Sequence, residues 1–187
     1  FESALSSALR QNYDDIEIVI GDDCPDDSIA TIVEKLKAKS RWPIRYLRNH
    51  VGLGEIGNVT RCVAEARGEY IKFLYDDDVI VPDCVRLLVD TLENTPGVSL
   101  VSSRRRLIDK NGDFLPDISA TVFPFESDAL LNGPDVVSFW GDYTVNFVGE
   151  PSSVLCRRED LLAFGDGIFS LDEQEIHWIG DLAVYSK

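Results

Sequence analysis

The chain has 187 residues, 33 acidic and 18 basic, for a formal net charge of −15. That length predicts a single domain, residues 1–187, and the 44% hydrophobic share supplies a core and excludes general disorder. The acidic balance excludes nucleic acid and an anionic membrane surface as partners, because both need clustered Lys and Arg, and the one basic run, Arg104-Arg105-Arg106, is too short for such a footprint.

Residues 3–11 place Ala4, Leu5, Ala8 and Leu9 on one face of a predicted helix, which Asn12 to Asp15 close. Ile16 to Ile20 form a β-branched strand ending in Gly21-Asp22-Asp23-Cys24-Pro25. Asp26 or Asp27 then caps a helix through about Lys39, which Trp42-Pro43 breaks. Ile44 to Leu47 predict a second strand, Asn49 to Gly54 a loop, and Glu55 to Ala66 a helix stopped by Gly68. A third strand over residues 69–75 runs straight into Asp76-Asp77-Asp78. Pro82 and Asp83 open a helix through about Asn94, and Val98 to Ser103 is a fourth strand. This alternation implies a parallel α/β sheet, whose ligands bind at the carboxyl ends of the strands, where both acidic loops fall.

After Ser103 the pattern becomes mixed or antiparallel. Lys110-Asn111-Gly112-Asp113 is a hairpin turn signal, residues 116–134 read as a loop with a short helix near Ser127 to Leu131, and Val154 to Cys156 are a further strand ahead of a helix at Arg158. Residues 178–185 read as the start of another helix, capped by Asp181. No apolar stretch reaches the ~20 residues of a membrane-spanning helix, so no transmembrane segment is expected in this stretch. Four scattered cysteines predict reduced thiols in a cytoplasmic protein rather than a zinc site. A chain that begins at Phe1 and contains no methionine is expected to be part of a longer product, which leaves room for membrane association through other parts of it.

The aspartate triplet is the sharpest chemical signal. Adjacent carboxylates repel, and a divalent cation such as Mg²⁺ or Mn²⁺ removes that penalty by taking hard oxygen ligands and sharing them with substrate phosphates. The alternative is a solvated turn that caps the next helix. Asp22 and Asp23 pose the same choice between a turn and hydrogen bonds to a ribose or base. Gly52-x-Gly54-x-x-Gly57 matches a dinucleotide fingerprint by spacing alone, with Asp76 about 20 residues on. His50 and His177 have no neighbouring nucleophile motif and read as polar surface residues. Asp181 is either a helix cap or a carboxylate set apart from the metal, as a general base for an acceptor hydroxyl needs to be.

Together, residues 1–13 (F-x-x-A-L-x-S-A-L-x-Q-N-Y), the strand ending in Asp22-Asp23, Asn58 in the helix before Ala66-Arg67-Gly68-Glu69-Tyr70-Ile71, and the triplet followed by Pro82-Asp83 resemble the nucleotide-sugar-binding half of family 2 glycosyltransferases with the GT-A fold. The resemblance covers residues 1–103; Gly149-Glu150-Pro151-Ser152 and Gly180-Asp181 extend it more weakly through an acceptor-side half, residues 104–187. It implies an inverting, metal-assisted transfer of a sugar from a nucleoside diphosphate donor, UDP-sugar by preference, to a carbohydrate, lipid-linked or protein acceptor. Asp22, Asp23, Asn58, Asp76 and Asp77 would bind the nucleotide sugar. Asp76, Asp77 and Asp78 would hold Mn²⁺ or Mg²⁺, with Asp77 the foremost ligand, and Asp181 would be the base. Tyr75 stands where relatives carry the first Asp of Asp-x-Asp-Asp. A non-catalytic sugar-nucleotide-binding module, a Mg²⁺-dependent nucleotidyltransferase and an interaction domain with solvated acidic turns are the competing readings.

Overall fold

The computed structural model describes residues 1–119, 121–143 and 147–163. Helix α1, Glu2–Ala8, buries Ala4 and Leu5. It stops short of the expected residue 11 because the Arg10 and Gln11 N–H groups fold back onto the Ser7 and Ala8 carbonyls at 3.2 Å. Strand β1, Ile18–Asp22, begins two residues later than the apolar run suggests, with the Ile18 N–H on the Pro43 carbonyl at 3.0 Å. Asp22 is therefore the last residue of the strand rather than part of the loop. Helix α2, Ser28–Lys37, returns the chain to β2, Ile44–Arg48, which pairs parallel with β1 from Ile18 opposite Ile44 to Asp22 opposite Arg48. Helix α3, Gly54–Glu65, ends where Ala66 turns extended, two residues before Gly68.

Strand β3, Tyr70–Lys72, helix α4, Cys84–Asn94, and strand β4, Leu100–Ser102, follow in the predicted order. Their pairing differs from consecutive parallel strands. Strand β5, Val154–Arg157, lies between β3 and β4 and is antiparallel to both, with Cys156 opposite Ile71 on one side and Leu100 on the other. β5 is suited to a central place because Val154, Leu155 and Cys156 are all buried, so both faces of the strand are covered. Their alternation divides the core. Val154 and Cys156 pack with Val63 and Ala66 and with Leu161 of helix α6, Arg158–Ala163, while Leu155 packs with Cys84, Leu88, Val89 and Leu92 on α4. A third cluster joins Leu5, Ile20, Val33 and Ile44 around the β1–β2 pair.

The hairpin signal is realised. Ile108 bridges Phe114, the Gly112 N–H meets the Asp109 carbonyl at 2.9 Å, and Gly112 takes the positive φ (87°) the turn requires. The short helix expected near Ser127 to Leu131 is not formed. A helix begins just beyond it, α5, Gly133–Tyr143, with Pro134 in its first turn and the Asn132 side-chain oxygen accepting the Asp135 N–H at 2.9 Å. Phe147 packs edge-to-face against Phe125 and Phe139 and so ties α5 to the preceding loop. The basic run is engaged internally: Arg104 pairs with Asp117 at 2.8 Å, Arg105 with Glu150 at 2.6 Å, and Arg106 stacks over Phe114. All four cysteines are unpaired. Among the described residues no helix is long and apolar enough to cross a membrane.

Candidate functional site

A cleft of about 1500 Å³ separates the two sheets, lined on one side by β1 and its flanks and on the other by β3 and its flanks. Asp22, Asp23, Glu55, Asn58, Asp76 and Asp77 all contribute to its lining. The five predicted nucleotide-sugar residues therefore line one cleft, which runs the length of β1 and β3 and reaches the loops at their carboxyl ends.

Asp22 is only 3% exposed. One carboxylate oxygen accepts the Cys24 N–H at 2.8 Å and the other accepts the Tyr46 hydroxyl. Burial and this carboxylate push the Tyr46 phenol up to about 12. Burial, with the neighbouring Asp22 carboxylate as the next cause, raises the Cys24 thiol. Asp23 accepts Asn49 Nδ2 at 2.5 Å and the Leu53 N–H at 2.9 Å. Asn49 also donates to Asn58 Oδ1 at 2.9 Å and accepts from Arg61, which further donates to the Arg48 carbonyl at 3.1 Å. The glycine-rich loop thus spends the Leu53 amide on a carboxylate of its own chain, which argues against a diphosphate cradle there and leaves Gly54 (φ 69°) to open α3.

Beyond Lys72 the chain leaves the ladder and turns, the Asp78 N–H reaching the Tyr75 carbonyl at 3.3 Å. Asp76 and Asp77 are exposed at the corner of this turn and Asp78 is half-buried. Tyr75 donates its hydroxyl to Glu55 at 2.9 Å, bridging the turn to the start of α3. Among the described residues no three His, Cys, Asp or Glu side chains converge as a metal cage. The donor chemistry still fits Mg²⁺ or Mn²⁺, which are held by one or two carboxylates with phosphate oxygens completing the shell. Of the three expected ligands, Asp76 and Asp77 line the cleft and Asp78 does not. Asp181 and His177 lie outside the described residues.

Sequence reasoning passed over Tyr46 and Asn49, which hold Asp22 and Asp23, Arg61 behind Asn49, and Lys72 at the end of β3. Lys72 carried a signal, a charge set between the apolar Ile71 and Phe73 in the middle of the predicted strand. Burial lowers its amine to about 8, against the opposing pull of Cys84, Asp78 and Cys156.

Carboxylates from the loops after two strands, lining one cleft, mark the candidate site of this α/β fold. The model described as Glycosyl transferase family 2 matches residues 1–147, and the chain belongs to that family, whose GT-A architecture the helices and sheets follow. An uncharacterized protein of Mycobacterium tuberculosis is 30% identical over 174 residues, 91% of this chain and 53% of that protein. The GalNAc(5)-diNAcBac-PP-undecaprenol beta-1,3-glucosyltransferase of Campylobacter jejuni is 26% identical over 142 residues, 76% of this chain and 45% of that enzyme. Chondroitin synthase of Escherichia coli is 31% identical over 113 residues, 59% of this chain and 16% of that enzyme. The chain spans about half the length of the first two of these relatives.

Proposed function

We propose that the protein transfers a sugar from a nucleoside diphosphate donor, UDP-sugar by preference, to an acceptor hydroxyl with inversion at the anomeric carbon. The observation that carries this reading is the sharing of one cleft by Asp22 and Asp23 from β1 and Asp76 and Asp77 from the turn after β3, with Asn58 from α3. Asp22 and Asp23 accept hydrogen bonds from the base and ribose. Asp76 and Asp77 hold Mn²⁺ or Mg²⁺ with the diphosphate. The cation, when bound, stabilises the charge that develops on the leaving diphosphate. Asp181 takes the proton of the acceptor hydroxyl.

Residues 1–103 form the donor half in this reading, and residues 104–187 the acceptor half. The acceptor is a carbohydrate, a lipid-linked sugar or a protein; the undecaprenol-linked acceptor in the name of the Campylobacter relative favours the second. The unpaired cysteines suit a reducing compartment, and we place the reaction in the cytoplasm.

Calorimetric titration of UDP with and without Mn²⁺ tests the donor site. Binding that strengthens with Mn²⁺ in the wild type and not in Asp77→Ala is expected, and no UDP binding at all would leave the acidic loops as solvated turns. Asp181→Asn is expected to keep donor affinity and lose turnover; wild-type turnover would remove it as the base. Binding without hydrolysis or transfer would make the protein a sugar-nucleotide-binding module, and nucleotidyl transfer to a sugar phosphate would reassign the reaction.

A further inference from the structure

Ser152, in a 3₁₀ turn, Pro151–Ser153, that leads into β5, makes two contacts with the strand that delivers the aspartates. Its hydroxyl accepts the Tyr75 N–H at 2.9 Å, and its carbonyl accepts the Lys72 ammonium. Lys72 also donates to the Phe73 carbonyl at 2.9 Å. One serine therefore grips the chain at the last paired residue of β3 and again at the residue before Asp76, across the interval in which ladder pairing has ended.

The segment that carries Ser152 is itself tightly constrained. Gly149 has a φ of +102°, and a Cβ there would lie 2.8 Å from both Arg105 Nη1 and Ser153 Oγ. Arg105 is paired with Glu150 at 2.6 Å. The Ser102 hydroxyl donates to the Val148 carbonyl, and the Ser103 N–H donates to the Ser153 carbonyl at 3.0 Å. These ties run to β4 and the residues just after it, so a frame anchored on one edge of the sheet reaches across to hold the end of β3. A mostly buried ammonium is costly unless its protons find acceptors, and an apolar side chain would pack in its place without that cost.

We infer that Ser152 and Lys72 are positioning residues that brace the acidic turn at the rim of the cleft, so that Asp76 and Asp77 meet a divalent cation and its diphosphate in one fixed geometry. Supporting contacts of this kind set the affinity of a site whose own ligands are few. The mechanics of the brace stand on the hydrogen bonds alone; its ligand rests on the glycosyl-transfer reading above.

The test uses Ser152→Ala, Ser152→Thr and Lys72→Met in the full-length protein, with backbone hydrogen exchange resolved around residues 73–79 and UDP titration with and without Mn²⁺. Ser152→Ala and Lys72→Met are expected to speed exchange at residues 75–78 by about five- to tenfold and to cut the Mn²⁺-dependent gain in UDP affinity by a similar factor. Affinity without Mn²⁺, which the Asp22 side supplies, stays unchanged, and Ser152→Thr, which keeps the hydroxyl, restores both. A serine that merely stabilises the fold would instead weaken UDP binding equally with and without Mn²⁺. Unchanged exchange at residues 75–78 in both disruptive variants overturns the brace, as does faster exchange with the Mn²⁺ gain intact. A wild type that binds no UDP sinks the glycosyl-transfer reading instead, and the exchange rates then decide the brace on their own.

Discussion

Gly21 sets how closely α3 can approach β1. A Cβ at this position would lie 2.2 Å from Asn58 Oδ1 and 2.7 Å from Cys62 Sγ, so any side chain must displace the Asn58 and Cys62 side chains or the helix that carries them. Gly21→Ala is expected to destabilise the fold by about 1–3 kcal/mol and to break the Asn49–Asn58 hydrogen bond that supports Asp23. Urea denaturation measures this; a change under about 0.5 kcal/mol would mean that the helix yields freely. Lys72 makes a second prediction, in pH. Its amine falls to about 8 in the fold from an ordinary 10.5, so between those values the unfolded chain binds the extra proton. Stability attributable to Lys72 is therefore present above about 10.5 and is lost as pH falls through about 8. Thermal unfolding of wild type and Lys72→Met across this window should show the wild type gaining relative to the variant as pH rises, and parallel curves would show that the ammonium is not suppressed.

The same coupling of distant residues operates between whole elements. Gln11, just after α1 and 2% exposed, donates to the Val81 carbonyl at 2.9 Å and accepts the Val85 N–H at 3.0 Å. Ser7 accepts the Ile80 N–H at 3.2 Å, and the Asn12 N–H meets the Pro82 carbonyl at 2.7 Å. The end of α1 thus grips the chain on the far side of the aspartate triplet, as Ser152 does on the near side. Gln11→Ala leaves two backbone groups without these partners and should cost about 2–3 kcal/mol, with faster hydrogen exchange confined to residues 80–85; exchange that rises uniformly along the chain would count against the clamp. Local pattern made the helices, the strands of the first half and both acidic loops legible, because periodicity and caps are properties of neighbouring residues. It also showed Gln11 and Ser152 as residues of the family likeness, but not what they hold, since each acts on a segment about seventy residues away. The start of α5 was written in Asn132 and Pro134 but lay inside a stretch rich in loop-forming residues. The place of β5 was not legible, because an apolar run announces a strand without naming its neighbours.

At the scale of the molecule that missing piece matters most. β3 and β4 are not bonded to each other, and each pairs with β5. The family match ends at residue 147, seven residues before β5 begins at Val154. A chain cut after residue 147 would keep every aspartate assigned here to the donor and the cation, yet leave two strand edges open and remove Val154, Leu155, Cys156 and Leu161 from two core clusters. Burial of each of the three aliphatic side chains contributes about 1.5–3 kcal/mol, and their sum is comparable with the ~5–15 kcal/mol that holds a domain together. The truncated chain is therefore expected to show no cooperative unfolding transition by calorimetry and no Mn²⁺-dependent UDP binding, whereas a chain ending at residue 163 should recover the transition. Cooperative unfolding of the shorter chain would mean that β3 and β4 find another partner, and the brace from Ser152 would then be dispensable to the fold that presents the aspartates.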